Sequence, residues 1–227
     1  MDPRPTRLVM LRHGESRSNA EFWLSGIATC KGLTERGARE AALLGAALRA
    51  DPGLRPDRVV TSSMPRSVET AAIATEALGV TVEPLDRLIE RTPGECEGMT
   101  VAEYTERYGH RPWHDWRQPL SPGGESEAEF AARVRAAVTD LAVAGRNATT
   151  WVFCHGGVIM AAADHLLGLP GDQAQPRWAA PANASITEWL RPPAEEPDGP
   201  WRLRRYNDHA HLVVAAQEPD DDDDGPA

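Results

Sequence analysis

The sequence contains little cysteine, almost no lysine and no long apolar run. Its three cysteines, Cys30, Cys96 and Cys154, show neither metal-ligand nor redox spacing, so we expect reduced thiols in a cytoplasmic protein. The first apolar run, Leu8 to Leu11, is too short for the core of a signal peptide, and no later run is long enough to cross a bilayer. These absences predict a protein without membrane partners.

The negative charge of the chain is unevenly distributed. The formal net charge is −10 over 227 residues, but six acidic residues lie in the C-terminal tail 217–227, which has no basic residue. Without those six charges, residues 1–217 carry a net charge of −4. We therefore expect no nucleic-acid partner for the folded part, and we predict a disordered acidic tail after a domain that spans residues 1–216.

Two apolar runs each lead into a histidine. Leu8 to Leu11 is typical of a buried strand and is followed by Arg12 and His13, while Trp151 to Cys154 is followed by His155 and a glycine. Open α/β sheets hold their ligands at the carboxyl ends of their strands. His13 and His155 would therefore meet in one site if their strands were neighbours.

The rest of the chain alternates strand and helix patterns, as expected for one α/β domain. Thr34 and Pro65 are typical of helix starts, and Ser126 with Glu129 forms a capping-box signature. The spacing also predicts a helix from Val101 to Tyr108. The predicted strands cover residues 58–61, 81–83, 150–154, 186–191 and 201–206.

Two more motifs complete a set of four. Residues 61–71 contain Arg66, and residues 88–98 contain Glu90. Together with the two histidine motifs, in this order, they resemble the histidine phosphatase superfamily, also called phosphoglycerate mutase-like. The resemblance extends from about Arg7 to Leu212 and implies a three-layer αβα domain with a mainly parallel central sheet flanked by helices.

The resemblance implies a role for each matching residue. His13 is the expected nucleophile that forms a phosphohistidine, Glu90 the expected general acid, and His155 the expected donor to the phosphoryl group. No metal or other cofactor is expected, because arginines supply the positive charge that a divalent ion provides elsewhere. The phosphate contacts that the resemblance implies are Arg12, Asn19, Arg66 and the backbone N–H of Gly156.

Two features favour the phosphatase branch of this family. Only a short segment separates Gly98 from the motif at residues 122–126, and Gly157-Val158 follows the second His-Gly where mutases commonly carry Asn-Ser. We therefore predict a phosphomonoesterase that hydrolyses a small phosphorylated metabolite. A phosphoglycerate-type phosphomutase and a catalytically silent phosphate-binding module are the alternatives. The oligomeric state stays open, with a homodimer as one option.

Residues 91–125 form a polar, aromatic insert that we predict to be a lid or substrate insert. This insert and the first loop supply aromatic and basic side chains that could contact substrate, although structural anchoring explains them equally well. The candidate substrate contacts are Phe22, Trp23, Arg111, Trp113 and Trp116. The first loop also departs from the family, which often has Asp-x-Pro-Leu-Thr where this chain has Cys30 to Thr34.

Overall fold

The computed structural model of the protein describes residues 4–109, 117–169, 180–193 and 199–215. Three predicted substrate contacts, Arg111, Trp113 and Trp116, lie outside the described residues, as does the predicted acidic tail. Within the described ranges, none of the helices combines the length and the apolar character that crossing a membrane would require.

A single six-stranded sheet forms the centre of the fold. Its strands are in the spatial order β3-β2-β4-β1-β5-β6. The first four are mutually parallel, whereas β5 and β6 are antiparallel to their neighbours, which confirms a mainly parallel sheet. The strands are β1 (Thr6–Arg12), β2 (Arg58–Thr61), β3 (Val82–Pro84), β4 (Thr149–Cys154), β5 (Ile186–Arg191) and β6 (Arg202–Asp208).

Local signals in the sequence set the starts of the main helices. The Thr34 hydroxyl accepts from the N–H of Gly37, and Pro65 occupies the first turn of its helix, as predicted. Ser126 and Glu129 form the predicted capping box. The helices are α1 (Arg17–Glu21), α2 (Glu35–Ala50), α3 (Pro65–Thr75), α4 (Val101–Tyr108), α5 (Glu127–Ala144), α6 (Gly156–Leu166) and α7 (Ala210–Ala215).

Helices cover both faces of the sheet, which confirms the three-layer arrangement. Along β1, Leu8 and Met10 pack into one apolar cluster with residues of α5 and α6. Val9 and Leu11 point to the opposite face and join a second cluster with residues of α2 and α3. This alternation follows from the two-residue period of a strand and buries both faces of β1.

Close contact between α2 and α3 depends on Gly45. A Cβ atom at this position would lie 2.6 Å from the carbonyl oxygen of Ala74. Helix propensity alone would make Gly45→Ala stabilising by about 1 kcal/mol. We expect the variant instead to lower the free energy of unfolding by about 1–3 kcal/mol, because the added methyl group overpacks the interface.

Urea denaturation measures this difference. Ala42→Gly, on the exposed side of α2, is the matched control and should lose only about 1 kcal/mol through helix propensity. A stabilised Gly45→Ala protein would contradict the packing argument.

Candidate active site

The parallel pairing of β1 with β4 brings the two strand-end histidines together. Arg12 is in register with Cys154, and the N–H of His13 donates to the Cys154 carbonyl at 3.0 Å. The imidazole centroids of His13 and His155 are 5.1 Å apart, and both residues are buried. The predicted convergence of the two histidines is confirmed.

Arg66 joins the two rings. Because α3 begins directly after β2, which lies beside β4, the Arg66 side chain reaches both histidines. Its Nε–H is shared between Nε2 of His13 at 3.1 Å and Nδ1 of His155 at 3.2 Å. A guanidinium nitrogen only donates, so each of these ring nitrogens presents a lone pair.

The second nitrogen of each ring then carries the proton. In His13, Nδ1–H donates to the carbonyl of Gly14 at 2.7 Å. In His155, Nε2–H donates to the hydroxyl of Ser62 at 2.8 Å. Sequence reasoning did not single out Ser62, although its place at the carboxyl end of β2, four residues before Arg66, was a usable signal.

Both imidazoles are held in the neutral form. Burial is the largest cause that lowers the pKa of His13, followed by the positive charges of Arg66 and Arg12. The pKa of His155 is lowered by burial, by Arg66 and by the neighbouring His13. A neutral His13 with a lone pair on Nε2 has the form that a nitrogen nucleophile requires.

These side chains lie at a cavity of about 400 Å³. His155, which is fully buried, does not line it and is connected to it through Arg66. Among the described residues, Nε of Arg12 is buried without a hydrogen-bond partner, while its Nη1 donates to the carbonyl of Pro181. The predicted catalytic and phosphate-binding residues that line the cavity are Arg12, His13, Asn19, Arg66, Glu90 and Gly156.

Glu90 is fixed by two backbone donors. The N–H of Arg91 donates to Oε1 and the N–H of Gly157 donates to Oε2, both at 2.9 Å. A Cβ atom at Gly157 would collide with this carboxylate. The glycine that follows the second His-Gly pair therefore leaves the space that the Glu90 carboxylate occupies.

The first loop contributes unequally to the cavity. Trp23 lines it, whereas Phe22 is 73% exposed and does not. Cys30, in the segment that departs from the family pattern, places its Sγ 3.6 Å from Nη1 of Arg66. Asn183, which sequence reasoning missed, donates both to the carbonyl of His13 at 3.0 Å and to Oδ1 of Asn19 at 3.2 Å.

Described residues of the insert also line the cavity. Its described part adds both apolar and charged surface to the cavity. Whether the insert closes over a ligand stays a prediction. The lining residues from the insert are Arg91, Pro93, Val101, Tyr104 and Leu120.

A mainly parallel sheet with Arg12, His13 and His155 at the ends of two neighbouring central strands, and Arg66 supplied by the helix that follows β2, is typical of a phosphoglycerate mutase-like protein. Residues 8–209 match the family model described as the histidine phosphatase superfamily, branch 1. The chain belongs to this family. The fold expected from the four motifs is thus that of the family that the sequence match shows.

Individual relatives differ in the activity they are named for. The chain is 31% identical, over 92% of its length and 98% of the relative, to a glucosyl-3-phosphoglycerate phosphatase of Mycolicibacterium vanbaalenii. It is 36% identical to a 2,3-bisphosphoglycerate-dependent phosphoglycerate mutase of Parvibaculum lavamentivorans over 57% of the chain and 64% of the relative. It also spans 41% of a longer bifunctional protein of Mycobacterium tuberculosis, with 35% identity.

The fold comparison agrees with the sequence comparison. A solved structure of a mycobacterial glucosyl-3-phosphoglycerate phosphatase in complex with VO3 has a TM-score of 0.75 and 29% identity. The match covers 89% of this chain and 99% of that one. The resemblance therefore extends over the whole domain of that structure.

The lowered pKa values of His13 and His155 predict that both rings stay neutral as the pH falls through 6.5, their ordinary value. The unfolded chain binds protons on both rings there, so the free energy of unfolding should decrease below pH 6.5. Nitrogen-15 NMR should show Nδ1–H for His13 and Nε2–H for His155. A titration of either ring with a midpoint near 6.5 would contradict this electrostatic account.

Proposed function

We propose that the protein is a phosphomonoesterase that hydrolyses a small phosphorylated metabolite through a phosphohistidine on His13. The observation that carries this proposal is the neutral His13 ring, whose Nε2 lone pair faces Arg66 at 3.1 Å. A phosphoryl group held by Arg66 and Arg12 would place its phosphorus near that lone pair. Guanidinium groups suit this task because their planar fork donates two parallel hydrogen bonds.

In the first step, Arg66 exchanges its histidine partners for phosphoryl oxygens. This exchange frees Nε2 of His13, which attacks phosphorus as the ester P–O bond breaks and a P–N bond forms. Glu90, which enters this step in its protonated form, gives its proton to the departing alkoxide oxygen. In the second step, water attacks phosphorus and a new P–O bond forms as the P–N bond breaks and its electron pair returns to Nε2 of His13. A proton of the water passes to Glu90, and inorganic phosphate leaves.

His155 is proposed to donate to the phosphoryl group from Nδ1. That nitrogen accepts from Arg66 in the structure, so the ring must change to its other tautomer when Arg66 turns to the substrate, with its single proton moved from Nε2 to Nδ1. The Ser62 hydroxyl is able to accept from Nε2–H or to donate to Nε2. His155 therefore has a partner for Nε2 in either tautomer, and the change requires no net charge on the ring.

The share of each relative's length that aligns with this chain supports a phosphatase over a mutase. The relative named as a phosphatase matches over 98% of its length, whereas relatives named as mutases match over 64% and 84% of theirs. The phosphatase relative is named for glucosyl-3-phosphoglycerate, so this compound is a first substrate to test. We further propose that hydrolysis proceeds in the cytoplasm without a divalent metal.

Wild-type protein should release phosphate from p-nitrophenyl phosphate and from at least one phosphorylated metabolite, with EDTA present. His13→Ala should release none, because it removes the attacking nitrogen, yet its thermal unfolding should stay near that of wild type. An alkaline denaturing quench of wild type should trap phosphate on His13, because a P–N bond is labile in acid but stable in alkali. Phosphate trapped on another residue would refute the nucleophile, and isomerisation that needs a bisphosphate primer would show a mutase.

Glu90→Gln should slow the transfer of phosphate from alkyl esters far more than from aryl esters. An alkoxide needs a proton to leave, and positioned acid catalysis contributes about 10²–10⁴-fold, whereas a nitrophenolate needs little help. Rapid-quench measurement of phosphohistidine formation isolates this step from dephosphorylation and product release. Equal losses on both ester types would mean that Glu90 places the substrate and does not protonate it.

A further inference from the structure

Glu90 lies in a stretch without regular secondary structure. The chain around it forms only single turns of 3-10 helix, at Asp86–Leu88 and Gly94–Cys96. A general acid must nevertheless be held close to the leaving oxygen, since a displacement of about 1 Å costs roughly 10²-fold in rate. Some other part of the fold must therefore hold this loop.

Arg133, on the second turn of α5, makes four hydrogen bonds at the back of the loop. Its Nη1 donates to the carbonyls of Arg87 and Ile89, each at 2.9 Å. Its Nε and Nη2 donate to the two carboxylate oxygens of Glu125 at 2.7 and 2.6 Å. This bidentate geometry fixes the guanidinium plane as well as its position.

Glu125 contacts the backbone that follows Glu90 in the chain. Its Oε2 accepts from the N–H of Thr92 at 3.2 Å, and its own N–H donates to the Thr92 carbonyl at 2.9 Å. The ion pair thus contacts the backbone before Glu90, through Arg133, and after it, through Glu125. Both side chains are mostly buried, with 19% and 18% exposed, so water screens the pair only partly.

The residues just before Glu125 fit closely against the same loop. The Pro122 carbonyl accepts from the N–H of Glu95 at 3.0 Å, and the Ser121 hydroxyl donates to the Pro93 carbonyl at 2.7 Å. A Cβ atom at Gly124 would lie 2.7 Å from that Pro93 carbonyl. The Pro-Gly-Gly-Glu-Ser motif therefore packs along the loop and turns Glu125 toward Arg133.

We propose that Arg133 and Glu125 are a positioning pair for Glu90. Neither residue lines the cavity, so neither touches the substrate phosphate; they act by fixing the backbone on both sides of the acid. The proposal rests on Glu90 being the general acid. It assigns a role in the reaction to Glu125, which belongs to the motif at residues 122–126.

The test measures phosphohistidine formation on alkyl and aryl phosphates in Arg133→Met and Glu125→Gln. Arg133→Met keeps the apolar stem and removes every donor, whereas Glu125→Gln keeps the shape and removes the charge. In each variant, the rate of phosphohistidine formation should fall by about 10-fold to 100-fold with alkyl esters and by less than about 3-fold with aryl esters. Arg133→Lys should recover only part of the loss, because an ammonium cannot reproduce the planar fork.

Asp140→Asn is the matched control. Asp140 also lies on α5 and pairs with the side chain of Arg87, but both side chains are exposed, at 64% and 43%. Loss of this ion pair should leave the rates of phosphohistidine formation with alkyl and with aryl esters unchanged. Thermal unfolding of each variant confirms that it is folded, and Glu125→Gln keeps the test decisive if Arg133→Met does not fold.

Combining Arg133→Met with Glu90→Gln separates the two proposals. If Arg133 acts through Glu90, the double variant should be no slower on alkyl esters than Glu90→Gln alone. Additive losses, or equal losses on alkyl and aryl esters, would overturn the positioning role while leaving the acid in place. A Glu90→Gln protein without any alkyl-specific loss would instead refute the acid itself.

Discussion

The site depends on one backbone interaction, the parallel pairing of β1 with β4. This pairing sets Arg12 beside Cys154, and the next residue on each strand is a histidine. Because side chains alternate along a strand, a register shift of one residue would turn these positions to opposite faces. The apolar clusters on both sides of the sheet oppose such a shift. The packing that stabilises the core therefore also fixes the position of the two histidines.

Electrostatics prepare the resulting site for an anion. Desolvation lowers the pKa of Arg12, and the charge of Arg66 lowers it further, while Glu90 acts in the opposite direction. The same burial and positive charge keep both imidazoles neutral. A phosphoryl group would relieve the repulsion between the arginines and accept the hydrogen bonds that Arg66 now divides between two rings.

Features with a local signal could be predicted from the sequence, whereas contacts between positions far apart in the chain could not. Strand runs, the Thr34 and Ser126 caps and Pro65 each act within a few residues, so their elements were predicted nearly to the residue. Helix α1 was missed because five residues are too few to show periodicity. The Ser62 contact with His155 and the Arg133 contact with Ile89, 44 residues away, join positions whose separation follows no period.

Gly157 shows how one position links the segment of the second histidine to Glu90. Its N–H binds Oε2 of Glu90, and its missing side chain leaves the volume that this carboxylate occupies. Mutases of the family commonly have Asn-Ser after the second His-Gly, and an asparagine here would place a Cβ atom inside that volume. The carboxylate would then have to move away from the start of α6. The residue after His155-Gly156 therefore restricts where the Glu90 carboxylate can lie.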